Sequence, residues 1–152
     1  NGLNHRSPSR IILDNKLRVP INSKIIKEAN AYRTMIFYNK INKKKIKLLK
    51  KLKIGTYKIS LDVDGNLDLQ KSLIKAREMG FSRIFLETGK KLTTSFLNKN
   101  LVDDFKLFVS SKNLGKKGNG SIWKYLRSFL KNKKKIVEKV NLSGDKLISY
   151  KI

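Results

Sequence analysis

The apolar positions of this chain fall into short blocks of two kinds. Ser9-Arg-Ile-Ile-Leu-Asp14, Thr34-Met-Ile-Phe-Tyr38, Tyr57-Lys-Ile-Ser-Leu61 and Ser82-Arg-Ile-Phe-Leu86 are compact runs of strand length. The second of them is continuously apolar, which suits a strand covered on both faces. Between them the period lengthens to that of a helix. Ile46, Leu49 and Leu52 share one face within Asn42–Lys53, and Leu69, Leu73 and Ala76 form a stripe within Leu69–Met79. Asp68 is placed to cap that second helix, and Gly80 to end it. Asn22 or Ser23 is placed to cap a short turn over Lys24–Glu28, after a loop from Leu17 to Ile21 that Pro20 keeps out of any ladder. Leu92, Phe96 and Leu97 predict a helix beginning near Lys90.

The remainder is more strongly β in character. Val102–Ser110 alternates as a strand, Lys112–Gly120 is a glycine-rich loop, and Ile122–Leu130, with Trp123, Tyr125 and Phe129, is set to cover a sheet edge. Lys135–Leu142 and Lys146–Ile152 read as a terminal hairpin around Ser143-Gly-Asp145. The order predicts an α/β fold: a mostly parallel twisted sheet with helices on both faces and an antiparallel carboxyl-terminal hairpin. Ligands of such sheets sit beyond the carboxyl ends of the strands. Three ends are legible, Asp14-Asn15, Tyr38-Asn39 and Glu87-Thr88-Gly89, and all are expected along one rim.

The last of these ends carries candidate chemistry. An acid, a glycine turn and a helix start make a place for phosphate, because first-turn amides lack partners within the helix and the helix dipole favours anions there. Lys90 and Lys91 add charge. The plainer alternative is an ordinary turn of an α/β unit with exposed lysines. Asp62-Val-Asp-Gly-Asn-Leu-Asp68 imitates a calcium loop, but its glycine stands at position 4 instead of 6 and position 12 is Leu73 instead of glutamate. It is read as a turn. Lys112–Gly120 is not a P-loop, since no Gly-x4-Gly-Lys-Ser/Thr follows a strand and opens a helix.

Composition narrows the classes. With no cysteine and a single histidine, His5, neither a disulfide framework nor a histidine-based zinc cluster can be built from this chain. No apolar run approaches the ~20 residues of a membrane span, and the first ten residues are polar, so the cytoplasm is the expected compartment. The net charge of +25, from 36 Lys+Arg against 11 Asp+Glu, points to an anionic partner. Lysine is nevertheless scattered over every predicted face, and arginine, the residue suited to bidentate recognition, is scarce.

Three stretches resemble a known family, the reductase domain of the riboflavin-biosynthesis deaminase-reductases, which has the dihydrofolate-reductase-like fold. Pro8-Ser-Arg-Ile-Ile-Leu-Asp-Asn-Lys-Leu-Arg-Val-Pro20 is similar to that family's Pro-x-Arg-hydrophobic-Leu-Asp-Ser/Thr-x-x-Arg-x-Pro. Ile84-Phe-Leu-Glu-Thr-Gly89 is similar to its Val-Glu-Gly/Ala-Gly-Pro-Thr-Leu. Leu101-Val-Asp-Asp-Phe-Lys-Leu-Phe-Val109 is similar to its Leu-Val-Asp-Glu-hydrophobic, with Leu114-Gly115 following as its Leu-Leu-Gly. Two departures stand out. The family's Pro-Thr after the glycine is Lys90-Lys91 here. The family's first strand, its Ser-x-Asp-Gly and Asp-Asn-Pro segments and the zinc deaminase half have no counterpart, so residues 1–152 are expected to form a single reductase-like domain, the carboxyl-terminal portion of a longer protein.

The resemblance implies an enzyme, an NADP-dependent oxidoreductase that reduces 5-amino-6-(5-phosphoribosylamino)uracil to its ribitylamino product with NADPH. It implies that Glu87 holds the substrate's sugar hydroxyls, and that Asn15, Gly89, Lys90, Lys91, Leu92, Thr93, Thr94 and Ser95 meet the cofactor. Lys16 or Arg18 would answer the 2′-phosphate by charge. No catalytic side chain and no metal ligand is singled out. Expected partners are the phosphorylated pyrimidine and a second copy of the chain in a homodimer, with no specific nucleic acid and no membrane. Two other readings are a basic nucleic-acid-binding module, resting on charge, and an inactive structural fragment of the reductase.

Overall fold

The computed structural model describes residues 7–112 and 122–152, arranged as two compact units that divide between Arg83 and Ile84. His5, Leu114-Gly115 and the glycine-rich loop beyond Lys112 lie outside the described residues.

The first unit is built on three parallel strands in the order β1-β2-β3: β1 (Arg10–Leu13), β2 (Thr34–Tyr38) and β3 (Gly55–Lys58). Arg10 stands beside Thr34, and Met35 beside Gly55. Every residue of β2 is buried, as its unbroken apolar run requires of a central strand. Its side chains alternate between two layers. Ile36 and Tyr38 pack with Ile26, Ala29, Leu49 and Ile54. Phe37 packs with Ile59, Leu67 and Met79 on the other side. Helices α1 (Lys24–Lys27), followed by a 3-10 turn over Glu28–Asn30, and α2 (Lys43–Lys51) serve the first layer; Leu67 and Met79, which flank α3 (Leu69–Glu78), belong to the second.

Local chemistry sets the helix ends. Asn42 accepts from the Lys45 amide at 3.0 Å, and Asp68 from the Lys71 amide at 3.0 Å. Gly80, at φ +90°, leaves α3 through the left-handed region that glycine enters freely. Ser23 precedes α1, but its hydroxyl makes no cap bond. The Asp62 carboxylate accepts the amides of Asp64 and Asn66, closing the turn that imitates a calcium loop. Strand β3 lies two residues earlier than its apolar pattern predicts. Register with β2 places Gly55 at its start; beyond Lys58 the Ile59 amide donates to Tyr38 O at 2.7 Å, and Leu61 makes an isolated bridge with Leu67.

The second unit contains α4 (Lys90–Asn98), β4 (Asp104–Val109), α5 (Trp123–Leu130), β5 (Lys135–Val137) and β6 (Lys146–Lys151). Its sheet is antiparallel, in the order β4-β6-β5, so the predicted terminal hairpin is present and its second strand is central. Leu97 of α4 and Leu126 and Leu130 of α5 are buried together against Phe105, Leu107 and Tyr150 of the sheet. Among the described residues no helix is long and apolar enough to cross a membrane.

One predicted element is absent. Ser82–Leu86 forms no strand, and Ile84 and Phe85 are exposed, Phe85 at 78%. An apolar β-prone run becomes a strand only where an adjacent edge accepts its backbone, and no described strand pairs with this one.

Candidate functional site

In the first unit the carboxyl ends of the parallel strands are knitted into one rim. Asp14, just past β1, donates its amide to Phe37 O at 2.9 Å. Its carboxylate accepts the Val19 amide at 2.7 Å and its carbonyl the Leu17 amide at 3.0 Å, which folds residues 14–19 back on the strand end. Leu17 takes a left-handed φ of +52° and is nearly fully buried there, so core burial offsets its backbone strain. The Asn15 carbonyl accepts the amides of Asn39 and Lys40, at 3.1 and 2.9 Å. Asn39 donates its side-chain amide to Ile59 O at 2.8 Å, and Asn15 donates its own to Gly65 O at 3.2 Å. The first two predicted strand ends therefore do share a rim. Lys16 and Arg18 stand exposed beside Asn15, with no ion pair among the described residues.

The third predicted end is different. Since Ser82–Leu86 is not a strand, Glu87 does not sit at a strand terminus; it is an exposed residue of an irregular segment that leads into α4. The glycine turn and helix start that follow are as predicted. Gly89 is the N-cap, at φ −77° and ψ 174°, and offers no side-chain oxygen to the helix. Its carbonyl accepts the Thr93 amide at 3.1 Å, so the first helical bond begins there. The amides of Lys90, Lys91 and Leu92 precede that bond and have no acceptor within the helix. A Cβ built on Gly89 would meet nothing within 4 Å. Lys90 and Lys91 are exposed, and α4 has no acid in its first turn.

The hydroxyls after this start are differently engaged. Thr88 and Thr93 share a hydrogen bond of 3.0 Å between their Oγ1 atoms. Thr94 donates to Lys90 O at 2.8 Å and Ser95 to Lys91 O at 3.0 Å. Those protons are committed to the helix backbone, as is usual for hydroxyls inside helices. Donors available to an anion are thus the three amides and the two ammonium groups. An anionic group such as a cofactor pyrophosphate fits that donor set: amides and cations, open space at the glycine and no competing carboxylate within the first turn.

Comparison with known proteins gives this arrangement its context. Residues 1–141 match the family described as the RibD C-terminal domain. The chain is 32% identical over 149 residues to the riboflavin biosynthesis protein RibD of Aquifex aeolicus (strain VF5), covering 96% of this chain and 39% of that protein. It is 24% identical over 140 residues to a 2,5-diamino-6-ribosylamino-4(3H)-pyrimidinone 5′-phosphate reductase of Archaeoglobus fulgidus, covering 91% of this chain and 60% of that one. In structure it is similar to Acinetobacter baumannii RibD, with a TM-score of 0.63 at 18% identity over 95% of this chain and 37% of the other, which speaks to the fold. The chain therefore spans less than two thirds of the length of these relatives, and under half of the two RibD proteins. With residues 1–141 matched, the chain belongs to the RibD C-terminal domain family.

Proposed function

We propose that this chain is a reductase domain that reduces 5-amino-6-(5-phosphoribosylamino)uracil to the ribitylamino product, in riboflavin biosynthesis, with NADPH as the nicotinamide cofactor. The supporting observation is the start of α4: three amides with no acceptor within the helix, two exposed lysines and an open glycine, two residues after a carboxylate, in a chain of this family. NADPH, when bound, supplies the hydride that reduces the ribosyl carbon, and a proton taken up by the released sugar oxygen completes the balance.

The chain's own groups divide the remaining work by charge. Amides of Lys90, Lys91 and Leu92, with the Lys90 and Lys91 ammonium groups, bind the cofactor's phosphates. Gly89 lets the backbone approach them without a side chain in between. Thr93, Thr94 and Ser95 flank that site, and the last two contribute their protons only by leaving the helix carbonyls they now serve. Asn15 touches the cofactor at the end of β1, and Lys16 or Arg18 answers the 2′-phosphate. Glu87 accepts charge-assisted hydrogen bonds from the sugar hydroxyls, a role that anionic phosphates would not fill. In this reading residues 1–152 act as one domain of a cytoplasmic homodimer, and nucleic acid is not a specific partner.

The test uses the full-length protein and follows consumption of NADPH as ribosylaminouracil phosphate is added. Substrate-dependent oxidation with preference for NADPH over NADH is the expected result. Absence of such oxidation from a folded, NADPH-binding protein would refute the proposed reaction.

A further inference from the structure

A concave site lies in the second unit, against α5. It is a cleft of about 220 Å³ lined by Trp123, Arg127, Lys131, Lys133, Lys135 and Tyr150. The buried Leu126 and Leu130 complete its wall. Spacing explains the convergence. Trp123, Arg127 and Lys131 follow at intervals of four and share one face of the helix. Lys135 and Tyr150 are partners across the β5–β6 ladder, so their side chains emerge together on one face of the sheet. No acid lines the cleft, and among the described residues none of its four cations is in an ion pair. Trp123 remains half exposed, at 52%.

A plain structural role accounts for only part of this. Arg127 and Lys131 suit the negative end of the α5 dipole, and Lys133 lies 5.6 Å from the Phe129 ring centre. Lys135 and Tyr150 belong to the sheet and gain nothing from that dipole. Tyr150 also packs against the core of this unit, but uniform lysine excess fails to explain a half-exposed tryptophan set among the charges.

We propose that this cleft binds a phosphorylated heteroaromatic monomer of the nucleoside monophosphate class, its ring against Trp123 and Tyr150 and its phosphate among Arg127, Lys131, Lys133 and Lys135. Aromatic side chains offer offset-stacked contact to any flat ring, and arginine offers a fork matched to phosphate oxygens. Size limits the ligand. Sites for drug-sized molecules run to ~300–1,000 Å³, so this smaller, open cleft accommodates one ring system with its phosphate and not a dinucleotide. The site is separate from the one at Gly89: the two share no residue, and α5 meets α4 at Leu97 and Asn98, at the opposite end of that helix. The proposal therefore does not rest on the reductase reading.

Trp123 is the one tryptophan of the chain, so its fluorescence reports on this cleft alone. The experiment titrates the 152-residue chain with uridine 5′-monophosphate, with uridine and with inorganic phosphate. It repeats this for the double variants Arg127→Gln/Lys131→Gln and Lys47→Gln/Lys50→Gln, each first checked for an unchanged melting temperature. The nucleotide is expected to quench saturably, and uridine and phosphate to bind about tenfold or more weakly, since each makes half of the contacts. The α5 pair should weaken the nucleotide by about tenfold or more, while the pair in α2 leaves it unchanged. Unsaturable quenching, phosphate binding as tightly as the nucleotide, or equal losses in both double variants would overturn the proposal. The last outcome would assign the attraction to net charge alone.

Discussion

Replacing Gly89 by valine separates a glycine needed for folding from one needed for a ligand. At φ −77° and ψ 174° the residue occupies extended backbone that any L-residue adopts, so no strain follows from a side chain. Nothing lies within 4 Å of the added Cβ, so no clash follows either. Two small terms remain for stability. A less flexible unfolded chain favours the variant by ~0.4–1 kcal/mol. Valine is a poorer N-cap than glycine, which costs a comparable few tenths to about 1 kcal/mol. These nearly cancel, and the melting temperature should move by no more than a few degrees. Binding is different, because at the proposed site the valine methyls would occupy the space through which a pyrophosphate reaches the amides of Lys90, Lys91 and Leu92. Losing one hydrogen bond to a charged group costs roughly 1.5–3 kcal/mol, or about 10- to 150-fold in affinity. Fluorescence titration of the full-length protein with NADPH, beside a thermal melt, measures both. Unchanged NADPH affinity would refute the site, and a large fall in melting temperature would show the glycine to be structural.

The other outcomes test separate links. Glu87→Gln in the full-length protein should lower turnover by about one to two decades while largely sparing NADPH affinity; abolished cofactor binding in that variant would mean that the two halves of the site are assigned the wrong way round. Glu138 accepts hydrogen bonds from Ser149, at 2.6 Å, and from Lys106, whose charge also acts on it, and together they hold its carboxyl below the ordinary value. A depressed folded pKa gives stability that is complete above the unfolded value and is lost as pH falls through the folded one. The melting-temperature gap between the native chain and Glu138→Gln should therefore narrow on acidification, and a gap constant with pH would exclude this contribution. Duplex DNA should bind weakly, without sequence preference and with a steep loss on adding salt; nanomolar sequence-specific binding at physiological salt would contradict a compositional origin for the lysine excess.

What the sequence disclosed depended on whether a pattern was local. Asp68, Gly80 and the terminal hairpin act through their own neighbours; the two helix ends appear where predicted, and the hairpin forms with its first arm ending at Val137 instead of Leu142. The start of α4 was legible for the same reason, because a cap glycine followed by Leu92, Phe96 and Leu97 at helical spacing needs no distant partner. Ser82–Leu86 failed because strand identity belongs to a pair of segments, and apolar content alone supplies no partner. β3 shifted for a related reason: register with β2, not hydrophobicity, chose Gly55–Lys58. The commitment of Thr94 and Ser95 to Lys90 and Lys91 carbonyls was hidden because a hydroxyl's partner depends on its rotamer. The α5 cleft left only a faint trace, an aromatic at 123 followed by cations at intervals of four. Its second wall, Lys135 with Tyr150, forms only when β5 and β6 pair.

The most evident departure from the family motif then takes on a different meaning. Where the family has Pro-Thr after the glycine, this chain has Lys90-Lys91. Proline is favoured at the first helical position because it has no amide proton to leave unsatisfied and its φ is preset. Lys90 occupies that position here, with Gly89 as the cap. Lysine loses the preset φ but retains an N–H, so the helix start presents three amide donors where a proline would leave two. It also brings an ammonium group to the positive end of the helix dipole, where a cation is unfavourable for the helix by ~0.3–1 kcal/mol, and Lys91 repeats the cost. Two cations at that end oppose helix stability and favour an anion held in front of them. Binding a phosphate neutralises both and removes the repulsion from the dipole. Under the proposed function, the two lysines would exchange some intrinsic stability of α4 for affinity toward an anion.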